Sequence, residues 1–129
     1  MIYLDSSVAL AHLLVEDRRP SAALWADSLI SSRLLEYEVW CRLHARGLAS
    51  SHGEPARQLL GRISFLELSS LVLERALEPF PEPVRILDAL HLASLEFLRG
   101  RRLAPRLATY DRRMIAVAAA MAIPLAALP

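Results

Sequence analysis

The chain begins Met1-Ile2-Tyr3-Leu4-Asp5-Ser6-Ser7-Val8-Ala9-Leu10-Ala11-His12-Leu13-Leu14-Val15, and a change of pattern inside that stretch decides the fold class. Met1–Leu4 is a short, uninterrupted apolar run, the pattern of a strand covered on both faces. Asp5 suits the N-cap of a helix, and Ser7–Val15 then reads as a helix. The same alternation continues down the chain. Strands are expected at 28–31, 64–68, 106–109 and 123–128. Helices are expected at 20–27, 33–46, 55–62, 71–77, 84–99 and 112–121. Short apolar strands separated by helices imply right-handed crossovers, and so a parallel sheet with helices on both faces. The expected class is α/β, in three layers.

The local punctuation supports these divisions. Pro20 suits the first turn of the second helix. Residues 50–55 read as a loop, with Ser51 and Glu54 spaced as a capping box. Pro79-Phe80-Pro81-Glu82-Pro83 reads as a rigid connector, and Gly100 ends the long helix before it. No repeat or flexible linker interrupts the pattern, and 129 residues suit a single domain spanning 1–129.

Composition narrows the function. A hydrophobic fraction of 54% excludes a disordered chain. A single cysteine, Cys41, excludes an internal disulfide and a cysteine-rich zinc centre; it is read as a core residue, and it fits a cytoplasmic location. The longest uncharged apolar run, Met114 to Pro129, is split by Pro124 and falls short of the roughly 20 residues of a spanning helix. No membrane partner is expected. All fifteen basic residues are arginine; their exclusive use reads as a bias of base composition. Their distribution is more informative. Residues 1–98 carry nine Arg against thirteen acids, whereas residues 99–129 carry six Arg against one Asp. Arginine forks match phosphate oxygens, and Arg112 and Arg113 adjoin Asp111, which makes them candidates for contact with a nucleic-acid backbone.

The carboxylates carry the chemistry. Ligands of open α/β sheets bind beyond the carboxyl ends of the strands. Asp5 directly follows the first expected strand, and Asp111 lies two residues beyond the 106–109 strand. Each also suits a helix N-cap. Glu38 shares a helix face with Leu34, Leu35, Cys41 and Ala45, and Asp88 shares one with Leu92 and Leu95. A carboxylate in such surroundings loses several kcal/mol of hydration unless it is paired or bound to a metal. Intrahelical pairing with Arg42, four residues after Glu38, and with Arg85, three before Asp88, is the plain alternative. Glu36 faces away and reads as a rim charge. Four acids meeting in one cleft would raise one another's pKa. A divalent cation removes that repulsion, and all-oxygen ligation favours Mg²⁺ or Mn²⁺. The chemistry indicated is phosphodiester hydrolysis.

Other catalytic arrangements are absent. None of the histidines at 12, 44, 52 and 91 pairs with another at helical spacing, and His91 reads as a core histidine. Ser6 and Ser7 lack the glycines of a nucleophile elbow. With four glycines in all, there is no phosphate-cradling loop. Trp25 and Trp40 read as packing residues.

These same residues carry a resemblance. Ile2-Tyr3-Leu4-Asp5-Ser6-Ser7-Val8 resembles the opening strand and first acid of PIN-domain ribonucleases. Tyr37-Glu38-Val39, with Arg42 after it, resembles their second acidic motif. Leu87-Asp88-Ala89-Leu90-His91-Leu92-Ala93 closely resembles the third. Leu107-Ala108-Thr109-Tyr110-Asp111-Arg112-Arg113 resembles the fourth. Short chains of this kind are similar to the VapC toxins of toxin–antitoxin modules.

The resemblance implies a PIN-like fold and Mg²⁺- or Mn²⁺-dependent endoribonuclease cleavage of structured RNA such as tRNA or rRNA. It implies a homodimer and a cognate VapB-type antitoxin. Carried over by position, Asp5, Glu38, Asp88 and Asp111 are the catalytic and metal-site acids, and Ser6 and Thr109 line the site. Two alternatives remain at this level. One is a PIN-like nuclease of RNA or DNA processing without an antitoxin. The other is a binding module that keeps the fold without the chemistry.

Overall fold

A computed structural model describes residues 1–129. The strands are β1 (Ile2–Leu4), β2 (Leu29–Ser32), β3 (Ile63–Leu66) and β4 (Arg106–Ala108). The helices are α1 (Ser6–Leu13), α2 (Ala22–Ala26), α3 (Leu34–Ala45), α4 (Ala49–Leu60), α5 (Ser70–Leu77), α6 (Ile86–Gly100) and α7 (Arg112–Ala120). The strands form one sheet in the order β3-β2-β1-β4, and every pair is parallel.

Alternation along β1 explains the layers. Ile2 and Leu4 point into one apolar cluster, with Val8, Leu35, Val39 and Leu43. Tyr3 points the other way, into a second cluster with Leu92, Leu95, Leu107, Met114 and Val117. α1, α3 and α4 thus cover one face and α6 and α7 the other, as expected for a parallel sheet buried on both faces.

The chain steps from β1 outward to β2 and β3, then returns through α5 and α6 to place β4 on the other side of β1. That reversal makes a switch point between β1 and β4, where a crevice opens at the carboxyl edge of an α/β sheet.

Four local expectations are corrected. Residues 123–128 do not form a strand: a single parallel bridge joins Leu107 to Leu125. Leu107 N–H donates to the Pro124 carbonyl and Ala126 N–H to the Leu107 carbonyl, and the ladder stops there. Pro124 has no N–H with which to extend it.

Residues 50–55 are helical, not a loop. Ser51 sits inside α4, donating its hydroxyl to the Leu48 carbonyl, so it forms no capping box with Glu54. Burial of Ala56, Leu59 and Leu60 outweighs the cost of Pro55 inside the helix.

Pro20 precedes Ser21, the N-cap of α2, and so stands outside that helix. Cys41 is exposed, not core. The buried face of α3 is Leu34, Leu35, Val39 and Leu43, a rotation that turns Cys41 and Ala45 to solvent.

Candidate active site

The register of β1 against β4 builds the first half of the site. Leu4 pairs with Ala108, so the next residues, Asp5 and Thr109, emerge side by side, and Asp5 N–H donates to the Ala108 carbonyl. Thr109 donates its hydroxyl to Asp5 Oδ2 at 2.8 Å, and Ser7 donates its own to the same oxygen at 2.6 Å. Both hydroxyls are then reused as acceptors: Ser7 Oγ takes the Tyr110 N–H and Thr109 Oγ1 the Asp111 N–H. Two adjoining chain segments are thereby fastened through one carboxylate oxygen.

Asp5 is also the N-cap of α1, and its anchored oxygen faces Ser7 N–H at 3.4 Å. Its other oxygen, Oδ1, accepts no hydrogen bond from the protein. Asp111 divides its labour in the same way. Oδ1 caps α7 by accepting from the N–H groups of Arg113 and Met114, while Oδ2 meets Arg85. The capping of these two helices uses one oxygen of each acid and leaves the other toward the cleft.

Asp88 lies in the first turn of α6, because the helix begins at Ile86. The helix dipole favours a carboxylate there. Arg85 donates from Nε to Asp88 Oδ2 at 3.2 Å and from Nη2 to Asp111 Oδ2. The expected pairing of Arg85 with Asp88 therefore forms, but the guanidinium is shared with a second acid. Burial raises the Asp88 carboxyl above its ordinary pKa, as does the negative charge of Asp111; Arg85 only partly offsets them.

Glu38 does not pair with Arg42. Its Oε1 lies 2.5 Å from His91 Nε2, and its Oε2 accepts from the Ser6 hydroxyl at 3.1 Å. Arg42 makes no ion pair and lines the same cleft. His91 is fully buried, its other ring nitrogen 2.8 Å from the Tyr3 hydroxyl. Burial disfavours its charged form, but the hydrogen bond and charge of Glu38, with Asp5 and Asp88 farther off, hold its pKa above the usual value.

Asp5, Glu38, Asp88 and Asp111 all line one open cleft of about 770 Å³ at the carboxyl edge of the sheet, a volume that accommodates a nucleotide-sized group. Asp5 is buried, and the side chains of Glu38, Asp88 and Asp111 are 14%, 14% and 18% exposed, shielded but reachable. Ser6 lines the cleft and Thr109 lies buried behind Asp5. Arg112 and Arg113 are exposed on the first turn of α7 and do not line it. The cations that do are Arg18, Arg42 and Arg85.

The donor chemistry suits a hard divalent cation. It is all oxygen and multiply negative, and the Asp5 oxygen that faces no donor is free to ligate. In this arrangement no three of the acids close around a single point. Arg85 bonds both Asp88 and Asp111, so an ion held by that pair would have to displace the guanidinium. Sequence reasoning missed Ser7, the sharing of Arg85 and the link from His91 to Glu38. Only Ser7 left a signal, as a hydroxyl two residues after Asp5, the N-cap of α1.

Comparison with known proteins gives the family and the fold. The model of the PIN domain matches residues 2–120. A Mycobacterium tuberculosis protein named Ribonuclease VapC35, found in two strains, is 30% identical over 98% of this chain and 96% of its own. Among solved structures, M. tuberculosis VapC20, described as a sarcin-ricin loop cleaving toxin, superposes with a TM-score of 0.69 at 19% identity, covering 90% of this chain and 94% of that one. A toxin–antitoxin complex from Klebsiella pneumoniae gives a TM-score of 0.62 at 15% identity, over 90% of this chain and 91% of that one. At such identities the two structures speak for the fold.

Proposed function

The chain belongs to the PIN-domain family, and we propose that it is a divalent-metal-dependent endoribonuclease, the toxin of a toxin–antitoxin pair. One observation carries the reading: in a chain related end to end to a named ribonuclease, four acids from separate segments line a single cleft beside the switch point of the sheet.

Asp5, Glu38 and Asp88 would hold Mg²⁺ or Mn²⁺, with Asp111 assisting. When bound, the cation polarises the scissile phosphate and lowers the pKa of water for in-line attack. The protein's own groups prepare the site. Ser7 and Thr109 fix one oxygen of Asp5, Ser6 steadies Glu38, and Arg18 and Arg42 at the cleft draw the RNA backbone in. Arg112 and Arg113, on the exposed first turn of α7, extend that basic surface. Structured RNA such as tRNA or rRNA is the substrate proposed, in the cytoplasm.

A VapB-type antitoxin is the proposed protein partner, and a homodimer the proposed assembly. Leu71, Leu73, Leu77, Ile86 and Leu87 expose apolar surface on α5 and the start of α6 that a second copy would cover. No helix is long and apolar enough to cross a membrane.

The test is cleavage of a mixed tRNA and rRNA pool by purified protein with Mn²⁺, repeated with a chelator and with Asp5→Asn. Metal-dependent cuts that vanish in the variant are expected. Metal-independent cutting, or full activity in Asp5→Asn, defeats the site. Intact RNA together with no Mn²⁺ binding by calorimetry would favour the non-catalytic alternative. Growth arrest on expression, relieved by a neighbouring gene product, separates a toxin from a processing nuclease. Light scattering at one chain mass would remove the dimer.

A further inference from the structure

Glu38 is the one site acid whose carboxylate is steadied by a residue from the opposite face of the sheet. Tyr3 points from β1 into the cluster beneath α6 and is fully buried. The Ser32 N–H of β2 donates to its hydroxyl oxygen at 3.2 Å. His91 Nδ1 stands 2.8 Å from the same oxygen, with the two rings edge to face. His91 Nε2 meets Glu38 Oε1.

The direction of each bond follows from what each atom carries. A backbone N–H only donates, so the tyrosine oxygen is an acceptor toward Ser32. A carboxylate only accepts, so Nε2 must bear a hydrogen. In a neutral ring this leaves Nδ1 bare, and the tyrosine proton turns toward it. In a charged ring Nδ1–H donates to the tyrosine oxygen. The Nε2–H to Glu38 bond is the same in both.

We infer that His91 is a positioning residue for the metal site, holding the Glu38 carboxylate in a fixed orientation by an Nε2–H bond whose own direction is set by the Tyr3 hydroxyl and the Ser32 amide. This rests on the reading of Glu38 as a metal ligand. Hydrogen-bond partners of ligating carboxylates are a recognised determinant of metal affinity. Here the geometry is unusually constrained. Ser6 holds Oε2 from the cleft side and His91 holds Oε1 from the core, so the carboxylate plane is fixed from both ends. The exposed start of α6 carries Asp88, and the same helix three residues on carries His91. One helix therefore contributes an acid of the site and the support of another acid.

Two amides of similar size separate this role from core filling. A glutamine places its amide nitrogen near the position of Nε2, and an asparagine places its own near Nδ1. Mn²⁺ affinity of the full chain, measured by calorimetry, is expected within about threefold of the parent in His91→Gln and weakened about tenfold or more in His91→Asn. Melting curves confirm that each variant is folded. Equal affinities in the two variants, or the reverse order, overturn the proposal.

A measurement without any variant stands beside it. Long-range ¹⁵N–¹H correlation of the histidine ring is expected to show a hydrogen on Nε2, and a ring protonated only at Nδ1 overturns the proposal. Glu38→Gln tests the underlying reading. Its Mn²⁺ affinity should fall, and an unchanged value would remove Glu38 from the ligands, a failure distinct from equal His91 variants beside a weakened Glu38→Gln.

Discussion

Replacing Arg85 with Gln removes the only cation that touches two site acids. The Arg85 side chain is 60% exposed, so its bonds to Asp88 and Asp111 belong to the surface regime, about 0.2–1 kcal/mol each. Together they amount to about 0.4–2 kcal/mol, which at an RT near 0.59 kcal/mol is roughly a 2- to 30-fold factor. A cation entering the cleft must displace the guanidinium and meets its positive charge. Arg85→Gln is therefore expected to bind Mn²⁺ roughly 2- to 30-fold more tightly at low salt, with the gain shrinking as salt screens the exposed pairs. Titration calorimetry on metal-free protein reads this directly. The metal-free variant should also melt lower, because Asp88 and Asp111 lose their shared counter-ion, and Mn²⁺ should restore it. Equal or weaker Mn²⁺ binding would refute the reasoning: Arg85 would then be supporting the acids in their ligating positions, not competing for them.

Asp88 titrates above its ordinary value through burial and the charge of Asp111. For such a raised acid, stability is present at pH below the unfolded value and is lost as pH rises through the folded one. Metal-free Asp88→Asn should accordingly melt higher than the parent at neutral pH, with the advantage fading as pH falls toward about 4; a lower melting temperature at neutral pH would contradict this. Thr109→Val keeps the shape but deletes the donor to Asp5 and strands the Asp111 N–H. It should cost about 1–3 kcal/mol, seen as a melting temperature several degrees lower, with Mn²⁺ affinity falling alongside; an unshifted melt would show that the bond is dispensable. Arg42→Ala should weaken RNA binding and flatten the dependence of log affinity on log salt by about 0.7 to 1. An unchanged slope in filter binding would take Arg42 out of the RNA contact.

The parts of the fold that could be read from residues are those in which one physical requirement dominates. Ile2–Leu4 and Leu107–Ala108 are apolar because a central parallel strand is covered on both faces, and that requirement leaves a mark in composition. Residues 123–128 bear the same mark, yet only Leu125 bridges, because apolarity reports cover and not a free N–H at Pro124. The stretch at 50–55 failed in the opposite sense. His52, Gly53 and Pro55 are loop residues by propensity, but the packing of Ala56 and Leu59 under the sheet decides. At the site, Asp5 and Asp111 were legible because strand ends and helix caps are local. The partner of Glu38 was not. Local reasoning offers Arg42 one turn away, whereas the fold brings His91 from 53 residues off. The choice depends on the rotation of α3 that buries Val39 and Leu43, which sequence spacing alone leaves free by one position.

That rotation also bears on how four acids coexist before any cation arrives. Asp5 caps α1, Asp111 caps α7, and Asp88 sits in the first turn of α6. Three helix N-termini thus converge on the cleft, each presenting the positive end of a dipole, worth about 0.3–1 kcal/mol to a nearby carboxylate. Glu38, farther along its own helix, lacks this benefit and is the acid given a histidine. The compensation stays incomplete, because Asp88 still titrates high against the charge of Asp111. A fold that fully neutralised its acids would bind a divalent cation poorly. One that left them bare would not stay folded around them. Helix ends soften the repulsion without supplying a full opposite charge, and the exposed Arg85 supplies one that can swing away. In the proposed metal site, cation affinity would therefore depend on the placement of α1, α6 and α7, and helix-end substitutions that leave every acid in place should still change it.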